Sequence, residues 1–164
     1  MTINLTLCAT PYQIGAPFFY FESIEEYNQK YELHLKKYGV EEYEFEYIDG
    51  DDISLTVWKA CNGNMFKFLE IIEEGMIATL EDAIKLYVAT NINGNTLEDA
   101  LLRYQGIYLW CGSMKDYAYE IFQWDLVPEF LHQYINIDQL VIDLQCNGDI
   151  YELDGDFDGY CVVR

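Results

Sequence analysis

Positive charge is what this sequence has least of. Lys and Arg together number 9 in 164 residues, against 29 Asp and Glu, for a formal net charge of −20. Such a shortage disfavours direct binding to nucleic acid, where Lys and Arg must displace counterions from phosphates. It disfavours anionic membranes for the same electrostatic reason. No apolar run approaches membrane-spanning length, and the first Lys is Lys30, so no basic leader stands before an apolar segment. A soluble, cytoplasmic protein is therefore expected. The 5 cysteines, Cys8, Cys61, Cys111, Cys146 and Cys161, include no C-x-x-C pair. Their odd number and scatter predict reduced, buried thiols. Nucleophile elbows, Walker loops and dinucleotide fingerprints are also missing. His34 and His132, the only histidines, lie outside any ligand spacing and read as surface or cap residues. Carboxylate pairs are too numerous for any one to mark an acid/base site. The expectation is a non-enzyme without cofactor.

Apolar material is plentiful. Hydrophobic residues make up 51% and aromatics 16% of the chain, which excludes the composition of a disordered segment. Acidity is spread evenly: residues 1–82 hold 16 acids and 5 bases, residues 83–164 hold 13 and 4. Self-repulsion on this scale costs stability and serves solubility or a partner.

Local patterns predict an α+β chain. Residues 3–9 and 18–22 read as strands. Ser23 and Glu26 form a capping box for a helix over 24–38 that Gly39 ends. "EEYEFEYIDGDD", residues 41–52, alternates with period two and reads as a third strand turning at Gly50. The middle is helical: 65–74, then two starts at Thr79 and Thr96 in "TLEDAIKLYV" and "TLEDALLRYQ", with a loop over 91–95 between them. Ser113 with Asp116 caps another helix, Pro128 opens a short one over 128–134, and Asn136 or Asp138 caps the next. "DIYEL", "DGDFDG" and "YCVVR" close with a β-hairpin. The predicted organisation is three small domains: 1–61, a small sheet plus helix; 62–103, helical; 104–164, helices plus the hairpin.

The acidic strand raises the functional question. It has seven carboxylates in twelve positions and no base. On a strand, Glu42, Glu44 and Glu46 share one face at roughly 6.7 Å per residue pair, about half the density of a phosphate strand. Asp49, Asp51 and Asp52 follow. Glu70, Glu73 and Glu74 share a helix face, and Glu81 with Asp82, and Glu98 with Asp99, open two further helices. Twenty charges match about ten base pairs of duplex, and a dimer roughly twice that. These thirteen residues are candidates for a surface that imitates DNA. An acidic coat kept for solubility or high salt is the plainer reading of composition alone.

Asp154, Asp156, Asp158 and Gly159 fit positions 1, 3, 5 and 6 of an EF-hand loop, but position 12 would be residue 165 and the flanks read as strands. An acidic hairpin turn is the better account, with weak calcium binding as the alternative.

"RYQGIYLWCGSMKDYAYEI" followed by "PEFLHQYINIDQLVIDLQCNGDIYELDGDFDGYCVV" resembles the ArdA antirestriction family. The likeness rests on a Y-x-G-x-Y element (Tyr104, Gly106, Tyr108), then Ser113, Asp116, Tyr117, Ala118 and Glu120, the Pro128-led helix, Asp143-Leu144 and the hairpin. It covers about 60 residues, with a looser echo in the opening region. The resemblance implies an elongated, three-domain, homodimeric DNA mimic from a mobile genetic element. Such a protein occupies the DNA-binding groove of type I restriction-modification enzymes. It also implies a dimer interface at Tyr104, Gly106 and Tyr108, with Trp110 beside them. Leu109-Trp-Cys-Gly112 intervene where the family has Ser soon after the second Tyr. Alternatives of another class are a mimic aimed at a CRISPR effector or a nucleoid protein, and a calcium-binding module or metal-dependent enzyme.

Overall fold

The computed structural model describes residues 5–164, and the chain divides into two compact units, Met1–Tyr104 and Gln105–Arg164. The expected division at 61/62 falls inside the first unit, and the one at 103/104 falls one residue from the observed boundary. Both units mix helix and strand, giving the α+β class.

The first unit opens with β1 (Thr6–Pro11), β2 (Phe19–Phe21), α1 (Ile24–Tyr38) and β3 (Tyr43–Asp49). The strands form an antiparallel sheet in the order β2-β1-β3. Residues 3 and 4 of the first predicted strand lie outside the described residues. Register explains the alternation. Leu7 pairs with Tyr47 and Phe21, and Ala9 with Phe45 and Phe19, while Cys8 faces Glu46 and Thr10 faces Glu44. One sheet face is thus apolar, and α1 covers it through Tyr27, whose ring packs on Phe19, Phe21, Tyr43 and Phe45 at 5.1–6.5 Å. The Ser23 hydroxyl accepts from the Glu26 N–H at 3.2 Å, while the Glu26 carboxylate accepts from the Glu22 N–H at 2.8 Å. The reciprocal bond therefore reaches one residue earlier than a capping box requires.

The acidic strand ends at Asp49, directly before the turn expected at Gly50. A helix, α2 (Asp52–Ala60), starts three residues after Asp49, so the segment before residue 62 holds two helices rather than one. Asp51 caps it, accepting the Ser54 N–H at 2.7 Å. Gly50 fits because a Cβ there would collide with the Tyr47 hydroxyl, which lies 2.7 Å from Ser54 Oγ. Then follow α3 (Met65–Glu73), α4 (Leu80–Tyr87) and α5 (Leu97–Arg103), capped by Asn64, Thr79 and Thr96. A π turn, Val88–Ile92, extends α4 into the predicted loop. The Thr90 hydroxyl donates back to Leu86 and Tyr87 carbonyls, satisfying the widened ladder. Val57, Met65, Phe68, Leu69, Ile71, Ile84 and Leu86 are sealed in the core these helices build.

In the second unit, β4 (Tyr108–Cys111), α6 (Met114–Ile121), α7 (Ile137–Asn147), β5 (Ile150–Glu152) and β6 (Tyr160–Val163) are joined by 3₁₀ turns at Trp124–Leu126, Glu129–Tyr134 and Gly155–Phe157. The predicted hairpin is there, but it is two-thirds of a sheet. Strand β4 pairs antiparallel with β6, Tyr108 opposite Val163, in the order β4-β6-β5. Ser113 and Asp116 form a complete capping box.

Candidate functional site

On β3 the acidic side chains stand where the register sends them. Glu44 and Glu46 project from the sheet face opposite Tyr43, Phe45 and Tyr47, and both are exposed. Glu42, just ahead of the strand, is exposed as well. Of the thirteen candidate carboxylates, twelve are exposed and Asp82 is half-buried.

Their surroundings differ. Asp51, Asp82 and Asp99 belong to helix caps: the last two accept from the Thr79 and Thr96 hydroxyls at 2.8 and 3.2 Å. Asp49 accepts from the Gly50 N–H. Glu73 accepts the Ile24 N–H at 3.0 Å, which fastens α3 to the start of α1. Glu81 pairs with Lys85 at 2.7 Å and Glu70 with Lys67 at 2.9 Å. The hydrogen bond from Lys67 to Glu70, and then the fields of Glu70, Glu98 and Glu74, hold the Lys67 ammonium above its usual value. Carboxylates from α3, its C-terminal cap and α5 thus surround one cation.

Of the four residues expected at a dimer interface, Tyr104 belongs to the first unit and Gly106, Tyr108 and Trp110 to the second. Tyr104 is buried at the end of the first unit. In the second, Tyr108 is 55% exposed, the Gly106 Cβ position is open, and Trp110 packs its ring on Tyr117 at 5.5 Å. Both histidines, expected at the surface or at caps, are half-buried. His34 lies half-buried with its ring 4.7 Å from Phe19, and burial, then Lys37, lowers its pKa. His132 Nε2 donates to the Val127 carbonyl at 2.9 Å, beside Trp124. Of the five thiols, Cys8, Cys61 and Cys161 are buried but Cys111 and Cys146 are exposed, so the expectation of buried thiols holds for three. Asp154, Asp156 and Asp158 sit on or beside a 3₁₀ turn between β5 and β6. Among the described residues, no three His, Cys, Asp or Glu side chains are grouped to hold a metal ion.

Sequence reasoning placed every mimic candidate in the first unit and passed over the second. There, all eleven acidic side chains are exposed, and Lys115, one of its two bases, is paired with Asp138 at 2.7 Å. The signal was available, since residues 105–164 hold eleven acids against Lys115 and Arg164. Also missed was an aromatic cavity of about 530 Å³ at the start of β3, where side chains of α1, β3 and α3 meet.

No family model matches the chain, and neither does a curated protein or a solved structure. No described helix is long and apolar enough to cross a membrane.

Proposed function

We propose that this protein is a non-catalytic DNA mimic of the ArdA kind, which inhibits type I restriction-modification enzymes by filling their DNA-binding groove. The observation that carries the reading is the outward placement of acid. Twelve of thirteen candidate carboxylates in the first unit and all eleven in the second are exposed, with few cations to neutralise them. Lys and Arg in a DNA-binding groove would exchange their counterions for these carboxylates, so association is fast and salt-sensitive. The backbone hydrogen bonds of β3 and the caps of α2, α4 and α5 support this by fixing where the charges stand. Exposed Tyr108, Leu126, Phe130 and Tyr134 supply apolar surface for a homodimer.

The test is competition. A purified type I enzyme cleaving DNA at low ionic strength is inhibited by the protein, and inhibition fades as salt rises. Cleavage unaffected by excess protein at low salt overturns the reading. Capture of a CRISPR effector or a nucleoid protein in its place moves the mimicry to another target.

A further inference from the structure

We propose that an open groove of about 930 Å³ in the second unit is a docking site for a basic segment of a partner protein. Trp110 from β4, Asp116, Tyr119 and Glu120 from α6, and Trp124 and His132 from the 3₁₀ turns Trp124–Leu126 and Glu129–Tyr134 line it. Its aromatic wall is open to solvent. Tyr119 is 52% exposed, and Trp110, Trp124 and His132 are half-buried rather than sealed.

The walls are fixed by bonds of their own. The Trp124 indole N–H donates to the Tyr119 carbonyl at 3.1 Å, and His132 Nε2 bonds the Val127 carbonyl at 2.9 Å. The Trp124 ring stands 5.0 Å from Tyr119 and 5.0 Å from His132. Asp116 is held by Ser113, whose N–H and hydroxyl both donate to Oδ2 at 3.2 and 2.6 Å, leaving Oδ1 free to accept. Glu120, about one helical turn further on, has no side-chain partner among the described residues. Gly112, at φ 139°, lets Trp110 come close to Asp116: a Cβ there would stand 3.0 Å from the indole nitrogen and 3.7 Å from Oδ2.

Sign and shape choose the occupant. The unit has eleven acids and two bases, and both bases are engaged elsewhere, Lys115 with Asp138 at 2.7 Å and Arg164 over the Tyr151 ring at 5.6 Å. No cation of the unit answers Asp116 and Glu120. Exposed carboxylates alone hold a cation weakly, but here aromatic surface lies beside them. Arg and Lys side chains carry a charged head on an apolar stem. The stem can lie along Tyr119 and Trp124 while the head reaches the two carboxylates, and a guanidinium also stacks on rings. The volume lies near the top of the range of about 300–1,000 Å³ for drug-sized ligands, so a length of chain fits it better than one small ion. That the segment belongs to a DNA-binding groove rests on the proposed function; that the groove takes a basic segment does not.

The probe is the capped peptide Gly-Arg-Gly-Arg-Gly, titrated into the isotope-labelled full chain while the indole N–H resonances are followed. The three tryptophans divide the readout: Trp110 and Trp124 line the groove, and Trp58 lies on α2 of the first unit. Saturable shifts of Trp110 and Trp124 are expected, with Trp58 unmoved. The citrulline counterpart, which keeps the shape without the charge, should bind at least about tenfold more weakly. Tyr119→Ala and Glu120→Gln, both at exposed positions, should each weaken binding about threefold. Asp154→Asn with Asp158→Asn removes two carboxylates of the same unit that do not line the groove and should weaken binding less than either. Equal binding of the arginine and citrulline peptides overturns the proposal. So does an equal loss from the Asp154 and Asp158 pair, which makes the attraction one of general charge, or a Trp58 shift as large as the other two. Tetramethylammonium bound as tightly as the peptide also overturns it, in favour of a small-cation cage. Peptide binding with no inhibition of a restriction enzyme leaves the docking site standing and removes the mimic; inhibition without peptide binding does the reverse.

Discussion

Residues 1–104 carry 18 acidic and 7 basic side chains, and residues 105–164 carry 11 and 2, so the smaller unit has the denser net charge, −9 against −11. The cores run the other way. Of the twelve largest side chains sealed from solvent among the described residues, ten belong to the first unit and only Ile150 and Cys161 to the second. Both units leave apolar side chains more than 70% accessible, Ile14 and Leu102 in the first and Leu126, Phe130 and Tyr134 in the second. One unit is a well-packed frame with acid on its outside. The other carries denser acid over a smaller sealed core.

That contrast can be broken or sharpened. The largest effect is expected from Phe68→Ala, which empties a fully buried site and should cost about 3–5 kcal/mol. Calorimetry then shows the first unit melting early while the second keeps its own transition; a single shared shift would mean that the units do not melt separately. Next comes charge removal. Converting Glu42, Glu44, Glu46, Glu70, Glu74 and Glu98 to Gln should weaken enzyme inhibition by about tenfold or more, equivalent to about 1.4 kcal/mol, whereas any one alone should change it little. The mirror block in the second unit, Glu120, Asp125, Glu129, Asp143 and Glu152, should cost as much per charge removed. A single carboxylate that abolishes activity would argue for an active site instead.

Smaller effects lie in the caps. Thr79→Ala in the first unit and Ser113→Ala in the second should each cost about 1 kcal/mol by chemical denaturation. The two changes should cost alike, since each removes a hydroxyl that accepts from the N–H three residues on and donates to that residue's carboxylate, while the bond from the Ser113 N–H to Asp116 survives in alanine. The smallest is a pH effect. The Ser113 hydroxyl, then the Ser113 N–H, hold the Asp116 carboxyl below its usual value. A lowered folded pKa contributes stability present above the unfolded value and lost as pH falls through the folded one. In an NMR titration Asp116 should therefore titrate below an ordinary Asp, and Ser113→Ala, which removes the hydroxyl but keeps the N–H, should bring it part of the way back.

Cap chemistry made much of this fold legible in the sequence. Ser23, Thr79, Thr96 and Ser113 announced their helices because each pairs a short hydroxyl with an acid three residues on. The start of α2 was hidden by the same chemistry: Asp51 and Asp52 continue the acidic run of β3, and a nine-residue helix offers little periodicity to set against strand alternation. Strand β4 was missed because its partner, β6, lies some fifty residues away, and its four residues carry no alternation of their own. The exposed face of β3 could be read from period two alone. The cavity could not, because nothing local in the sequence brings Tyr27, Tyr43 and Phe66 together.

Strand β3 lies at the margin of its sheet, with β1 on one side only. Such a margin is a template on which a second copy, or an unfolding neighbour, can add a strand and begin a fibril. Glu44 and Glu46 are the kind of side chain that forbids this, since two copies would have to press like charges together. Glutamine in their place would therefore lift a safeguard against self-assembly as well as a charge. Clumping of that variant on storage would be a symptom of the lost guard, to be separated from any loss of inhibition.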